Sequence, residues 1–168
     1  LEAGRLWDDP GLGELGRALA AGIVEQEVVE LPGVGPMLLP GRVGFRLDDG
    51  SWRLNPSYLP VQLLRRLEVL GVPGPWAEIA DNTARMIRET APHGFVADWI
   101  VYSADRGFIP DPVSGPVGSN DAIRAYLWAR MLHAHEPHRK ARDAHLSGLG
   151  RDWLGRGQAT TGVHARGD

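Results

Sequence analysis

Asp121 is the residue of this sequence that is best placed to do chemistry. It lies where a loop containing Gly118 leads into an amphipathic helix. A carboxylate held at such a junction can act on a ligand as a base or as a hydrogen-bond acceptor. Acidic residues are also favoured in the first turn of a helix because they complement its dipole. The residue type alone therefore leaves a catalytic and a structural role open.

Arg124 lies three residues after Asp121, on the same side of the expected helix. Its guanidinium could keep the carboxylate charged for a catalytic task. It could equally form an ordinary surface pair with Asp121, which stabilises a helix by a few tenths of a kcal/mol. The spacing favours the two interpretations equally.

Five helices are predicted from the three- and four-residue spacing of the apolar side chains. The first begins at the capping pair Asp9-Pro10, Pro60 opens the second, and Ser119 is expected to be the N-cap of the helix that carries Asp121. That helix carries Ile123, Tyr126, Leu127 and Met131. The predicted helices span residues 10–30, 60–70, 75–91, 119–131 and 136–146.

Two long segments, residues 31–60 and 94–116, separate the helices and are rich in glycine, proline and aromatic residues. In the first segment, Asp48-Asp49-Gly50 joins two short apolar runs and predicts a small β-hairpin. The second segment is expected to be irregular. The predicted fold class is therefore mainly α, with long loops and one small hairpin.

The composition is that of one globular domain. Its 168 residues are 43% hydrophobic, and 18 basic against 21 acidic residues give a net charge of -3. This balance argues against nucleic acid as a partner. The absence of cysteine excludes disulfides and thiolate metal sites. The apolar stretches are too short to predict a membrane-inserted or signal segment.

The two ends of the chain differ in pattern. Ala3, Leu6 and Trp7 already follow helical spacing, so the sequence is expected to open in mid-helix, as a fragment would. Residues 1–147 form the predicted domain. Residues 148–168 have little apolar periodicity and are expected to be a disordered tail.

A group of histidines invites a metal-site hypothesis. His133, His135 and His138 lie close together in sequence, but no carboxylate pattern accompanies them. The neighbouring Arg139 and Lys140 are typical of a solvated face. We therefore predict no metal site and no cofactor.

Seven short motifs, in order, resemble the family-8 glycoside hydrolases, in particular the endoglucanases of bacterial cellulose synthesis operons. The resemblance covers residues 1 to about 147. The motifs read LEAGRLW, PMLLPG, VGF, NPSYLP, TAP, DW and DAIR, at residues 1–7, 36–41, 43–45, 55–60, 90–92, 98–99 and 121–124.

The resemblance implies an α/α toroid of six helical hairpins, of which this chain is an incomplete internal piece. It also implies hydrolysis of β-1,4-glucan with inversion, in the periplasm or outside the cell, and an association with the cellulose synthesis machinery. Asp121 matches the general base of the family. The general acid and a sugar-binding aspartate match positions before Leu1, so little turnover is expected from this chain alone.

The same resemblance suggests further site residues. Tyr58 would position water or sugar beside Asp121, and Asn55 and Arg124 would support them. Asp98 could bind sugar hydroxyls or tie down its own loop. Aromatic rings in the irregular segments could stack on glucose rings. These aromatic residues are Trp52, Trp99, Tyr102 and Phe108.

Three tryptophans with helical spacing, Trp7, Trp76 and Trp128, are instead expected in the core. Two residues depart from the usual pattern of the family: Asn120 replaces a tyrosine before the base, and Ala97 replaces a proline.

The alternatives to a glucanase are a non-catalytic glucan-binding or structural piece and a chitosanase or xylanase of the same family. Half of a toroid would also expose apolar surface, so association of the isolated chain is expected.

Overall fold

Helices are the main regular structure in the part of the chain that the computed structural model describes, residues 1–132 and the strand Val163–His164. This confirms the prediction of a mainly α fold. The predicted helix 136–146, the histidine group and most of the predicted tail lie outside the described residues. The helices are α1 (Glu2–Trp7), α2 (Pro10–Glu27), α3 (Val61–Val69), α4 (Trp76–Thr90) and α5 (Asn120–Arg130). None of these helices is long and apolar enough to cross a membrane.

Helix α2 begins as predicted, but it ends earlier. The Asp9 carboxylate accepts hydrogen bonds from the backbone N–H groups of Gly11 and Leu12, at 2.9 and 3.2 Å. The helix ends at Glu27, not near residue 30, because the β-branched pair Val28 and Val29 starts a strand. Strands β1 (Val28–Leu31) and β2 (Gly35–Leu38) form an antiparallel hairpin.

A three-stranded antiparallel sheet follows, in the order β3 (Trp52–Leu54), β4 (Ile100–Ser103) and β5 (Gly107–Pro110). The prediction of irregular structure over residues 94–116 is therefore wrong. Ile100, Val101 and Tyr102 favour a strand, and Gly107, with φ +72°, takes the left-handed conformation at the turn between β4 and β5.

The predicted turn at Asp48-Asp49-Gly50 exists, but only one of its arms becomes a named strand. The backbone N–H of Leu47 donates to the carbonyl of Ser51 at 2.8 Å, and Arg46 forms an isolated bridge to Trp52. Beyond this bridge, β3 pairs with β4, which lies almost fifty residues later in the sequence.

Helix α4 lies at the centre of the core. Its predicted apolar face is buried, and Trp76 is 1% exposed, as expected for a core residue. Trp7 is 69% exposed, so its prediction as a core residue is wrong. Trp128 is half-buried.

The most deeply buried residues of helix α5 are its alanines. Ala122, Ala125 and Ala129 face inward, where α5 packs on the short 3₁₀ helix Pro56–Tyr58. Small side chains allow the two backbones to approach closely. The large residues Ile123, Leu127 and Met131 are exposed. Strand β6 (Val117–Gly118) leads into α5 and pairs with β7 (Val163–His164).

Candidate active site

Asp121 lies in the first turn of α5, with 28% of its side chain exposed. Both carboxylate oxygens accept hydrogen bonds. Asn55 Nδ2 donates to Oδ2 at 2.8 Å, and Arg124 Nη2 donates to Oδ1 at 2.6 Å. The carboxylate is thus held from two sides and still reaches solvent.

Arg124 does more than form a local pair with Asp121. The same nitrogen, Nη2, also donates to the hydroxyl oxygen of Ser57 at 2.9 Å. Ser57 is 4% exposed and belongs to the 3₁₀ helix, 67 residues away in sequence. Of the two interpretations that the spacing left open, this tertiary contact favours a role in organising the site.

Asn55 is the most deeply buried residue of the group, at 1% exposure. It is the N-cap of the 3₁₀ helix, and its Oδ1 accepts from the backbone N–H of Ser57 at 2.9 Å. Asparagine followed by proline favours such a turn, because the side chain replaces a backbone acceptor while proline fixes φ. The turn leaves the Asn55 amide nitrogen directed at Asp121.

Tyr58 comes at the end of this turn and is 51% exposed. The Arg124 guanidinium carbon lies 5.6 Å from the centre of its ring. The Trp128 indole nitrogen donates to the Ser57 carbonyl at 2.9 Å and so ties the turn to α5. Tyr58 and Asp121 therefore share the partner Arg124 across the two elements.

Asp98 caps helix α5 from another loop. Its Oδ1 accepts from the backbone N–H groups of Ser119 and Ala122, at 2.9 and 2.7 Å, and the Ser119 hydroxyl donates to its Oδ2. The expected side-chain cap by Ser119 is absent. Of the two roles considered for Asp98, the structure supports an anchoring one, because Asp98 fixes the helix end that presents Asp121.

Trp99 packs against Phe45, from the VGF motif, and against Arg53, which the sequence did not single out. The Arg53 guanidinium carbon lies 4.1 Å from the centre of its ring, and the Phe45 ring is stacked with it at 6.1 Å. Arg53 also forms two hydrogen bonds to the Asp111 carboxylate, at 2.8 and 3.2 Å. No local motif signals this arrangement, since Arg53 and Asp111 are 58 residues apart.

Asp111 is an almost fully buried carboxylate. Burial raises its pKa, but the hydrogen bonds from Arg53 and from the hydroxyl and N–H of Ser114 outweigh that effect. The pKa of Asp111 is therefore lower than usual. Asp111 holds the loop after β5 and the side chain of Arg53 in one arrangement.

The other predicted aromatic residues pack against one another. Trp52 packs near Tyr102, with ring centres 6.2 Å apart, and Phe108 contacts Tyr102 edge-on at 4.9 Å. Tyr102 is buried and donates its hydroxyl to the Pro32 carbonyl. Side chains alternate along a strand, so Trp52 also lies on the opposite face of β3 from Arg53.

The residues around Asp121 supply one accessible carboxylate, an amide, a guanidinium and a phenol. A carboxylate held in this way can take a proton from water while its geometry stays fixed. Within the described part of the chain, no group of three histidine, aspartate or glutamate residues could hold a metal ion. The arrangement suits acid–base hydrolysis of a bond such as a glycosidic linkage.

The chain belongs to glycosyl hydrolase family 8, whose model, "Glycosyl hydrolases family 8", matches residues 1–147. This confirms the family resemblance found in the motifs. Two endoglucanases are similar in sequence. That of Xanthomonas axonopodis pv. citri (strain 306) is 55% identical over 148 residues, which cover 88% of this chain and 38% of the relative. That of Escherichia coli (strain K12) is 44% identical over 142 residues, covering 84% and 38%.

A solved structure agrees with the fold. The crystal structure of endo-1,4-D-glucanase from Vibrio fischeri ES114 matches with a TM-score of 0.92 and 37% identity, over 99% of this chain and 48% of that protein. The chain therefore spans well under half the length of the two curated relatives and about half of this solved one.

Proposed function

We propose that this chain is part of an endo-β-1,4-glucanase in which Asp121 is the general base. The observation that carries the proposal is the way in which Asp121 is held. Asn55 and Arg124 each donate a hydrogen bond to one carboxylate oxygen, and the carboxylate is still accessible to solvent. Membership of family 8 and the endoglucanase relatives support β-1,4-glucan, the polymer of cellulose, as the substrate.

An inverting mechanism assigns distinct tasks to two carboxyl groups. One carboxylic acid protonates the leaving oxygen, and a carboxylate on the opposite face of the sugar activates a water molecule. The two groups lie roughly 6.5–9.5 Å apart, so that the water fits between them. Asp121 is the carboxylate that activates the water, and Arg124 and Asn55 fix the orientation of its oxygens during the proton transfer.

Tyr58 is proposed to position the attacking water or a sugar hydroxyl. Its exposed side chain beside Arg124 supports this role.

Trp99 is proposed to contact the glucan chain, held in place by Arg53 and Phe45. Asp98 supports the site through the start of α5, and Trp52 is the least favoured of the proposed sugar-binding residues because it packs near Tyr102.

We propose that residues 1–147 belong to a six-hairpin α/α toroid in the full-length protein. We further propose that the enzyme acts in the periplasm or outside the cell, in association with the bacterial cellulose synthesis machinery. No residue of this chain matches the general acid of the family, so this chain alone is expected to bind glucan and to hydrolyse it slowly or not at all.

Substitution of Asp121 tests the base assignment. Asp121→Asn keeps the size of the side chain but removes the proton acceptor, so any slow release of reducing sugar that the wild-type chain gives from carboxymethyl cellulose should fall to background. Asp9→Asn, at the start of α2, is the matched control and should leave the rate unchanged. Hydrolysis that survives Asp121→Asn would contradict the assignment.

The missing match for the general acid favours one alternative, a non-catalytic glucan-binding or structural piece. It predicts that the wild-type chain retains cello-oligosaccharide binding, measured by calorimetry, but releases no reducing sugar. Chitosan and xylan belong in the same assay, because a faster rate on either would favour the chitosanase or xylanase alternative over the glucanase.

A further inference from the structure

The hydroxyl of Ser57 joins the two residues that hold Asp121. It donates to Asn55 Oδ1 at 2.6 Å and accepts from Arg124 Nη2 at 2.9 Å. Asn55 and Arg124 in turn donate to the two oxygens of Asp121. The four side chains therefore form a closed ring of hydrogen bonds.

Ser57 determines which way the Asn55 amide points. An asparagine side chain has an acceptor end and a donor end, and its neighbours decide their directions. Here both the backbone N–H and the hydroxyl of Ser57 donate to Oδ1. With the oxygen so engaged, Nδ2 is left to donate to Asp121. Both Asn55 and Ser57 are buried, so water does not readily replace these bonds.

Ser57 also restrains Arg124, whose side chain is 42% exposed. A guanidinium with that exposure can turn towards solvent unless a fixed acceptor holds it. The Ser57 oxygen is such an acceptor and shares Nη2 with Asp121. Because the donors run in one direction from guanidinium to hydroxyl to amide to carboxylate, each bond polarises the next one.

The backbone of Ser57 is held independently of its hydroxyl. The Trp128 indole donates to the Ser57 carbonyl at 2.9 Å, and the Ser57 N–H is bonded to Asn55. Removal of the hydroxyl alone should therefore leave the 3₁₀ helix against α5. The side chain can be tested separately from the turn.

We propose that Ser57 is a positioning residue for the general base, acting on Asp121 through both Asn55 and Arg124. This proposal rests on the proposed role of Asp121. It predicts that Ser57 and Asp121, which are connected through Asn55 and Arg124, are energetically coupled through these shared partners.

A double-mutant cycle followed by thermal unfolding measures this coupling. Ser57→Ala should lower Tm by about 3–8 °C in the wild-type chain, because two buried hydrogen bonds are lost and the bonds to Asp121 weaken. In an Asp121→Ala background the bonds to Asp121 are already absent, and only the two bonds of the Ser57 hydroxyl remain to be lost. The same substitution should then lower Tm by about 1–3 °C less than it does in the wild-type chain.

Ser51→Ala is the matched control. Ser51 is also 4% exposed, and its hydroxyl donates to Asp49 in a loop apart from this ring. Its effect on Tm should be the same in both backgrounds. If Ser57→Ala does not fold, Ser57→Cys keeps the volume with a much weaker donor and completes the same cycle. Equal losses of Tm in the two backgrounds would overturn the proposal.

Kinetics separates this proposal from the proposed function. If the chain hydrolyses carboxymethyl cellulose, Ser57→Ala should lower kcat about tenfold and change KM less than twofold, because the base is misplaced while the substrate contacts remain. A rise in KM at constant kcat would contradict positioning. If hydrolysis survives Asp121→Asn, the proposed base assignment fails, and the thermal cycle still decides whether Ser57 is coupled to Asp121. If the wild-type chain shows no hydrolysis, the thermal cycle alone tests the role of Ser57.

Discussion

The carboxylate of Asp98 caps helix α5 from a loop that precedes the helix by more than twenty residues. Three donors at the start of the helix, two N–H groups and one hydroxyl, depend on it. An N-cap ordinarily comes from the residue next to the helix and satisfies one or two N–H groups. The position of Asp121 therefore depends on a residue outside its own element.

Asp98→Ala should lower the free energy of unfolding by about 1–3 kcal/mol, because it leaves several donors at a partly buried helix end without an acceptor. It should also weaken cello-oligosaccharide binding, since the start of α5 moves. Urea unfolding and calorimetry measure the two effects.

Asp9→Ala is the control for Asp98→Ala, since Asp9 caps α2 at an exposed site. It should cost about 1 kcal/mol and leave glucan binding unchanged. The anchoring role of Asp98 would be refuted if its alanine variant were as stable and bound as tightly as the Asp9 variant.

At the scale of elements, the sheet β3-β4-β5 brings distant residues next to the site. Strand β3 runs directly into Asn55, and Arg53, two residues earlier, shares a face of the strand with Asn55 because side chains alternate. Arg53 reaches the Asp111 carboxylate beyond β5 and the Trp99 ring before β4. One side chain thereby links all three strands of the sheet near the segment that presents Asn55.

The Asp111–Arg53 pair predicts an acid-dependent loss of stability. The pKa of Asp111 is lower in the folded chain than the value of about 3.9 expected when unfolded. Its contribution is therefore complete above about pH 4 and disappears as the pH falls through the folded pKa. Asp111→Asn should cost about 2 kcal/mol at pH 7, and its difference from wild type should shrink below pH 4.

Urea unfolding at a series of pH values between 7 and 2 measures the effect of Asp111→Asn. Asp48→Asn, in an exposed turn, serves as the control and should change stability little throughout. A difference between Asp111→Asn and wild type that stays constant down to the lowest pH would show that the ionised pair does not contribute as described.

At the scale of the whole molecule, large apolar side chains are exposed on the faces of three helices. They are Leu6 and Trp7 on α1, Leu15 and Leu19 on α2, and Ile123 and Leu127 on α5, with Met131 just after α5. The solved relative contains about as much additional chain as is matched here. Such faces favour self-association when nothing covers them.

The isolated chain should therefore associate as its concentration rises, and light scattering coupled to size exclusion measures the mass. Leu19→Glu should raise the monomer fraction because it places a charge on the exposed apolar face of α2. Ala21→Glu adds the same charge at another exposed position on the helix and should change the mass less. A chain that stays monomeric at every concentration would contradict this expectation.

The sequence by itself determined what depends on neighbouring residues. The cap at Asp9, the proline before α3 and the apolar period of α4 predict helices that the structure contains. These signals are local, because a cap or a helical face involves residues within about one or two turns. The ordered motifs likewise identified the family without any structure.

Only the tertiary structure decided which residues meet. Asn55 and Asp121 are 66 residues apart, and Asp98 and Ala122 are 24 apart, so no local pattern records these hydrogen bonds. The spacing of apolar residues also does not show whether another element packs against that face of a helix. Leu15 and Leu19 are exposed, whereas the alanines of α5 are buried. Burial and long-range pairing depend on the partners available in three dimensions, whereas a sequence pattern records only each element's own preference.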